Sequence, residues 1–296
     1  ICNGQRLFIY PEAYVEKNKY ILTPTNYGLK YEDITLTTRD GVHLQCYLLY
    51  SSRPRLTLIV FLGNAMNIGQ FIDIARMFLR RGCHVLLVSY RGFAKSTGAP
   101  SERGLCIDAQ TALDYAHTHP SLSKFPIIVY GLSLGGAVAI SVASRNTDRL
   151  AGLIIENTFL SIPRLVKSFP YIGWCRIFVH QRWNSAARMR RIGPRLPVMM
   201  ISGGFDEVVP PTHMAKLWQI REESCGKGDM RTHEDSENES SLSNETSPQD
   251  EDNGDIFKIF PFGRHHDTFA QPGYWQAVDA FFTQISRQCP TTPTDT

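Results

Sequence analysis

Residues 127–136 read Ile-Ile-Val-Tyr-Gly-Leu-Ser-Leu-Gly-Gly, and small residues suited to a helix follow through Ala143. A strand, a G-x-S-x-G turn and a helix in this order are typical of a nucleophile elbow. In such a turn Ser133 has a strained backbone that lifts its hydroxyl above the strand tip. Side chains at Gly131 and Gly135 would collide with the turn. The pattern predicts a nucleophilic serine at 133, and the alternative is a Gly/Ser-rich turn without a chemical role.

Outward from this turn, apolar strand patterns alternate with helical ones along most of the chain. Such alternation predicts an α/β fold, namely the α/β-hydrolase type, with a mostly parallel central sheet and helices on both faces. An Arg-Asp-Gly turn at 39–41 joins two strands that form an antiparallel edge. The predicted strands are 34–38, 42–49, 56–62, 84–89, 126–130, 150–156, 197–202 and 256–260. The predicted helices are 71–81, 102–117, 134–145, 212–220 and 274–286.

Composition bounds the domain organisation. The 296 residues, 43% of them hydrophobic, suffice for one large α/β domain, which we place at 31–288 after an irregular lead-in at 1–30 and before a tail at 289–296. The formal charge of +3 hides an asymmetry, because 222–255 holds twelve acidic residues against two basic ones. We expect that stretch to be a disordered surface loop.

A cap insertion is expected at 159–195, which has eight Arg or Lys residues and no Asp or Glu. It is either an ordinary connector with a solvated basic face or a surface facing substrate or membrane. Seven cysteines without a C-x-x-C pair argue against a disulfide framework or zinc site and favour a reducing, cytosol-facing compartment. No apolar run reaches the ~18 residues needed to cross a bilayer.

A serine nucleophile needs a histidine base and a carboxylate that orients it, in the chain order Ser, Asp or Glu, His. Asp206 follows a predicted strand through Gly203 and Gly204, and it is favoured over the neighbouring Glu207. Two adjacent histidines follow the last strand at 265 and 266, and only one of them can face Ser133.

The tetrahedral intermediate also needs donors for its oxyanion. The backbone N–H groups of Leu134 and Asn64 are the predicted pair, since they follow the elbow serine and the strand at 56–62. No cofactor, metal or nucleic-acid partner is expected. The glycine-rich turn at 131–136 has neither G-x-G-x-x-G nor a Walker lysine, which argues against dinucleotide or phosphate binding there.

The chain resembles the eukaryotic α/β-hydrolase domain-containing proteins, most closely the protein 13 branch and the Bem-type (bud-emergence) hydrolases. The resemblance rests on residues 5–11, 63–69, 90–102, 131–136, 206–211 and 265–268. The last of these aligns with the family's H-N-D-T motif, which implies that His265 is the base and that His266 takes the Asn position. Leu62 and Met66 depart from the family's usual His and Gly.

This resemblance implies a serine hydrolase that cleaves an ester or thioester, either a lipid ester or a protein S-acyl group, through an acyl-enzyme. It also implies contact with a membrane surface and a single-pass anchor upstream of Ile1 at an endomembrane or the plasma membrane, or a cytosolic protein if there is no anchor. The alternatives are a non-catalytic membrane-associated scaffold on the same fold and a serine peptidase.

Overall fold

A mostly parallel sheet runs through the structure, a computed structural model that describes residues 2–15, 21–169, 179–226 and 254–289. Within those residues the strands are β1 (Glu32–Thr37), β2 (His43–Leu49), β3 (Leu56–Phe61), β4 (Cys83–Val88), β5 (Ile127–Leu132), β6 (Gly152–Glu156), β7 (Val198–Gly203) and β8 (Ile256–Phe260). Their order is β1-β2-β4-β3-β5-β6-β7-β8. The β1–β2 and β2–β4 pairs are antiparallel and the others are parallel. The predicted fold class is confirmed.

Helices cover both faces of the sheet. They are α1 (Cys2–Ile9), α2 (Ile72–Arg80), α3 (Glu102–Thr118), α4 (Leu134–Ala143), α5 (Ile162–Ser168), α6 (Ser185–Met189), α7 (Thr212–Ser224) and α8 (Tyr274–Gln288). One core layer joins α3, α4, α6 and α7 to the sheet, and the other joins α2 and α8. On β5, Ile127 and Val129 face the first layer while Ile128 and Tyr130 face the second. A strand covered on both faces reads as a continuous apolar run, which is why the sequence revealed it.

The start of the chain differs from the expected irregular lead-in at 1–30, because α1 occupies Cys2–Ile9. Residues 5–9 contain no Gly or Pro, and Pro11 follows only after the helix has ended, so nothing in this run opposes helix formation. Tyr10 is fully buried, and its hydroxyl donates to Gln181 at 3.0 Å. The lead-in is therefore packed against the segment predicted to form the cap.

The described part of the predicted cap, 159–169 and 179–195, contains α5 and α6, and residues 170–178 lie outside the described residues. Most of the predicted acidic loop at 222–255 also lies outside them, as does the tail from 290. The flanks of that loop are ordered, since α7 continues to Ser224 and Asp255 forms an ion pair with the buried Arg221 at 2.7 Å. Within the described ranges no helix is long and apolar enough to span a membrane.

Close contact between α4 and β3 predicts the effect of Gly135→Ala. A Cβ at Gly135 would overlap the carbonyl oxygen of Phe61, which is backbone and cannot rotate away. We expect a loss of about 3 kcal/mol and a fall of about 5 °C or more in the apparent melting temperature, measured by circular dichroism. Gly193→Ala is the matched control, because its nearest atom is Thr147 Cγ2 at 3.5 Å. An unchanged melting temperature for Gly135→Ala would contradict the conclusion that α4 lies too close to β3 for a side chain at this position.

Candidate active site

The parallel strands bring their carboxyl ends to one edge of the sheet. Leu132 pairs with Glu156, and Glu156 pairs with Ile201, so β5, β6 and β7 end at the same level. Gly203 pairs with Phe260, which brings the end of β8 to the same edge. The residues that follow these strands include Ser133, Asp206 and His265, the predicted triad. The fold therefore gathers at one edge residues that are far apart in sequence.

Ser133 occupies a strained turn between β5 and α4. Its φ of 56° and ψ of −118° lie where side-chain-bearing residues are rare. The turn is held from β6, because the Ser133 N–H donates to the Glu156 carbonyl at 2.9 Å and the Thr158 hydroxyl donates to the Ser133 carbonyl at 2.7 Å. A Cβ on Gly136 would lie 2.6 Å from Thr158 Cβ, so this close approach requires glycine. These contacts provide the elbow geometry that the sequence predicted.

Asp206 is buried and oriented by its own turn. Its Oδ1 accepts from the N–H groups of Val208 and Val209 at 2.8 and 2.7 Å, while Oδ2 lies 2.8 Å from His265 Nδ1. The alternative carboxylate, Glu207, is exposed and accepts from the His265 backbone N–H at 3.4 Å. Glu207 keeps a lowered pKa, chiefly because its own backbone N–H bonds to it. The ring of the histidine thus meets Asp206 rather than Glu207.

The two histidines differ in position. His265 is buried against Asp206, whereas His266 is exposed and packs edge-on against the His265 ring with centroids 4.6 Å apart. The structure thus brings His265, rather than His266, to the carboxylate. Its contacts include no hydrogen bond between the Ser133 hydroxyl and the His265 ring among the described residues. Direct contact between the predicted nucleophile and base therefore stays a prediction.

The predicted oxyanion donors lie beside the elbow. Leu134 is the first residue of α4, so its N–H has no acceptor within the helix. A Cβ placed on Gly63 would lie 3.8 Å from the Leu132 carbonyl, which puts the loop after β3 next to the serine. The Asn64 carbonyl accepts from the Glu12 N–H at 3.4 Å, and the Asn64 N–H donates to no described residue. Both N–H groups are therefore available to a ligand, and their role as donors stays a prediction.

The two departures from the family pattern are accommodated by packing. Leu62 is buried in the core layer of α2 and α8, and its carbonyl accepts from the Tyr90 hydroxyl at 2.9 Å. Met66 packs against the same layer, and its sulfur lies 3.6 Å from a Cβ placed on Gly63. Both side chains thus support the loop from its apolar side. Within the described ranges, no group of three or more His, Cys, Asp or Glu residues is placed to hold a metal ion.

Asn157 connects three parts of the site and was not singled out from the sequence. Its Nδ2 lies within hydrogen-bond distance of the carbonyls of Arg264 and His265, at 3.2 and 3.1 Å, and of Thr268 Oγ1 at 3.0 Å. Its Oδ1 accepts from the Gly203 N–H at 2.7 Å. Asn157 has a φ of 46°, a conformation that asparagine tolerates better than most residues. A polar residue directly after an apolar strand is the only local signal for this role.

Glu156 is a second buried carboxylate beside the candidate triad. Its Oε2 accepts from the hydroxyls of Tyr130 and Tyr274 at 2.8 and 2.6 Å. Burial raises the pKa of Glu156, and these two hydrogen bonds oppose that rise. The charges of His265 and Asp206 also act on it in opposite directions. The site thus has a carboxylate whose folded environment favours its neutral form.

The sheet, the strained elbow and the Asp206–His265 pair define an α/β-hydrolase. Residues 52–192 match the family model described as serine aminopeptidase, S33. The chain is 38% identical to protein bem46 of Schizosaccharomyces pombe over 95% of this chain and 86% of that protein. It is 35% identical to an uncharacterized membrane protein of Saccharomyces cerevisiae over 95% of this chain and 89% of that one. The chain belongs to the Bem46 family of α/β-hydrolases.

Solved structures show the same fold. The Pyrococcus furiosus esterase Pf2001 superposes with a TM-score of 0.64 at 15% identity, covering 91% of this chain and 94% of the esterase. The likeness at this identity concerns the fold. It agrees with the α/β-hydrolase fold that the sequence predicted.

The contacts of Asn157 predict that Asn157→Ala loosens the histidine loop. The His265 carbonyl and the Gly203 N–H would lose the Asn157 side chain as a partner in a buried setting, which costs about 3 kcal/mol in total. We expect faster amide hydrogen exchange in 263–268 and a lower melting temperature. Asn184→Ala is the control, since its exposed side chain only caps α6 and its loss costs about 1 kcal/mol. Unchanged exchange in 263–268 would show that Asn157 does not hold the loop.

The raised pKa of Glu156 predicts a pH-dependent effect of Glu156→Gln. Because the folded-state pKa lies above the ordinary value of 4.5, folding favours the protonated carboxyl. The free energy of unfolding of the wild type, relative to that of the variant, is therefore highest below pH 4.5. This advantage is lost as the pH rises through the folded-state pKa. Glutamine keeps an oxygen for both tyrosine hydroxyls. We expect denaturant titrations to show that, from pH 4.5 upward, the free energy of unfolding of the variant rises relative to that of the wild type. A difference between the two that does not change with pH would contradict the raised pKa of Glu156.

Proposed function

We propose that this protein is a serine hydrolase that cleaves an ester or thioester through an acyl-enzyme. Ser133 is the nucleophile, His265 the base, and Asp206 the residue that orients the base. The observation that carries the proposal is the buried 2.8 Å contact between Asp206 and His265 at the sheet edge where the strained Ser133 turn also lies. A buried histidine and carboxylate paired beside a strained serine turn are the parts that acyl transfer requires.

The tautomer of His265 follows from its partner. Since the Asp206 carboxylate accepts at Nδ1, that nitrogen carries the proton and Nε2 is left with a lone pair. Nε2 takes the proton of the Ser133 hydroxyl as its oxygen attacks the carbonyl carbon. The carbonyl electron pair moves onto the oxygen, where the N–H groups of Leu134 and Asn64 would hold it.

Collapse of the tetrahedral intermediate breaks the bond to the leaving oxygen or sulfur. His265 returns its proton to that atom, and the acyl group remains on Ser133. A water then attacks the acyl-enzyme, gives a proton to Nε2, and releases the carboxylic acid as the serine regains its proton. No group besides the triad, the two N–H donors and water is needed for this sequence.

An apolar rim next to the triad supports an acyl chain as the substrate's recognised part. Phe205 precedes Asp206 and is 62% exposed, and Phe262 lies just before the histidine loop and is 73% exposed. Their ring centroids are 6.0 Å apart, and Val208 is exposed beside them. Exposed aromatic side chains grouped in this way favour contact with lipid or with a long acyl group. Lipid esters and protein S-acyl groups are therefore the proposed substrates, cleaved at a membrane surface.

A serine peptidase is the second candidate, and the family model described as serine aminopeptidase favours it. Both reactions use the same acyl-enzyme chemistry. The nature of the leaving group separates them, since a peptidase must expel an amine. A scaffold without catalysis is the third candidate, and it would need none of the paired groups found here.

Labelling by a fluorophosphonate probe tests the nucleophile. The wild type is expected to label, and Ser133→Ala to remove the labelling while the protein stays folded by circular dichroism. Asp206→Asn should lower kcat for a short p-nitrophenyl ester by about 10³-fold or more, because the base loses its orienting carboxylate. Ser123→Ala is the matched control, since Ser123 is exposed and lies in the connection before β5.

Substrate panels then separate the candidates. Acyl esters and acyl thioesters of graded chain length should be hydrolysed, with a preference for longer chains. Hydrolysis of aminoacyl amides alone would favour the peptidase. A folded wild type that neither labels nor hydrolyses any of these would overturn the catalytic proposal.

A further inference from the structure

A cavity that the candidate triad does not line lies between α3, the end of α4 and the described part of the cap. Its volume is about 810 Å³, within the range of small-molecule sites. None of the predicted triad or oxyanion residues lines it. The lining includes four arginines, one histidine and one carboxylate, namely Arg39, Arg103, Arg145, Arg188, His180 and Glu102.

The charge of this cavity is strongly one-sided. Among the described lining residues there are four arginines and one carboxylate, and that carboxylate is already paired, because Glu102 Oε1 lies 2.6 Å from Arg188 Nη2. Arg39, Arg103 and Arg145 are exposed, and their side chains form no hydrogen bond or ion pair with any described residue. Arginines gathered without carboxylates repel one another, so this arrangement is stabilised by an anion that enters between them.

The inner arginine supplies a second observation. Arg188 Nη1 is buried and lacks a hydrogen-bond partner among the described residues. A buried donor without an acceptor is costly, and the rest of the Arg188 side chain, which is 23% exposed, lines the cavity. The other end of the same guanidinium is fixed by Glu102, whose Oε2 also accepts from the Trp183 N–H at 2.9 Å. Arg188 is thus held in place before any ligand binds, which lowers the entropy cost of binding.

The cavity wall is braced by the lead-in segment. The Tyr10 hydroxyl donates to Gln181 Oε1 at 3.0 Å and accepts from the Trp183 indole at 2.9 Å. Gln181 itself lines the cavity. Burial raises the pKa of Tyr10 above its usual range, which keeps the hydroxyl protonated as a donor. The part of the wall formed by Gln181 is therefore held in place by the lead-in segment.

We propose that this cavity is a binding site for an anion that carries phosphate monoester groups. The planar fork of arginine matches phosphate bidentately, and several forks around one cavity suit a group with a charge near −2 and three acceptor oxygens better than a single carboxylate. Such phosphate groups occur on soluble metabolites and on lipid headgroups, and the two sources share this chemistry.

Calorimetric titration of the full chain with inositol 1,4,5-trisphosphate tests the site, with inorganic phosphate as the minimal probe. The double variant Arg103→Ala with Arg145→Ala should weaken trisphosphate binding about tenfold or more, because two charge-assisted contacts are lost. Arg191→Ala with Arg195→Ala is the matched control, since it removes the same charge from exposed arginines outside the cavity. The control should bind within about twofold of the wild type.

Sedimentation with vesicles distinguishes the two sources. Phosphatidylcholine vesicles with a phosphorylated phosphatidylinositol that bind the wild type, but not the Arg103 and Arg145 variant, assign the site to a headgroup. Trisphosphate binding without vesicle binding assigns it to a soluble ligand. No binding of any probe by the wild type, or equal weakening by the cavity and control variants, would overturn the proposal. Fluorophosphonate labelling of both variants should match the wild type, which separates this test from that of the hydrolase.

Discussion

The side-chain amide of Asn157 is the constraint on which the candidate site depends. It follows β6, which lies between the strand that carries Ser133 and the strand that leads to Asp206. From that central position it bonds to the end of β7 and to the loop that carries His265. Parallel strands bring their ends to one edge, but the loops beyond them have no ladder to hold them. The buried amide of Asn157 adds contacts to the direct bond from the Phe205 N–H to the Gly263 carbonyl, at the cost of a left-handed backbone conformation.

The parts of this fold that could be predicted from the sequence are those with a local signature. The buried strands read as short apolar runs because both faces of the sheet are covered, as the two faces of β5 show. The elbow was predictable because its glycines mark places where Phe61 and Thr158 leave no room for a side chain. Asp206 was favoured over Glu207 on its place after a strand, and its turn to Val208 and Val209 gives the physical reason.

What could not be predicted depends on contacts between distant residues. The residues alone did not decide whether His265 or His266 is the base, because the two differ in which ring faces a carboxylate 59 positions earlier. In the sequence Glu156 is simply the last residue of a predicted apolar strand. Its contact with Tyr274, whose hydroxyl lies 2.6 Å from Glu156 Oε2, follows only from the fold. Helix α1 was missed because aromatic and proline residues beyond it suggested irregular chain. The arginine cavity joins residues from four separate segments, and the charge pattern of the sequence marked only one of them, the cap at 159–195.

The lead-in has a consequence for where the domain begins. Tyr10 is bonded to Gln181 and Trp183, and two residues later the Glu12 N–H reaches the Asn64 carbonyl beside the elbow. A domain boundary at residue 31 would cut away both attachments. Residues 2–15 therefore pack as part of the hydrolase body, and their contacts connect the loop next to the nucleophile with the wall of the distant basic cavity.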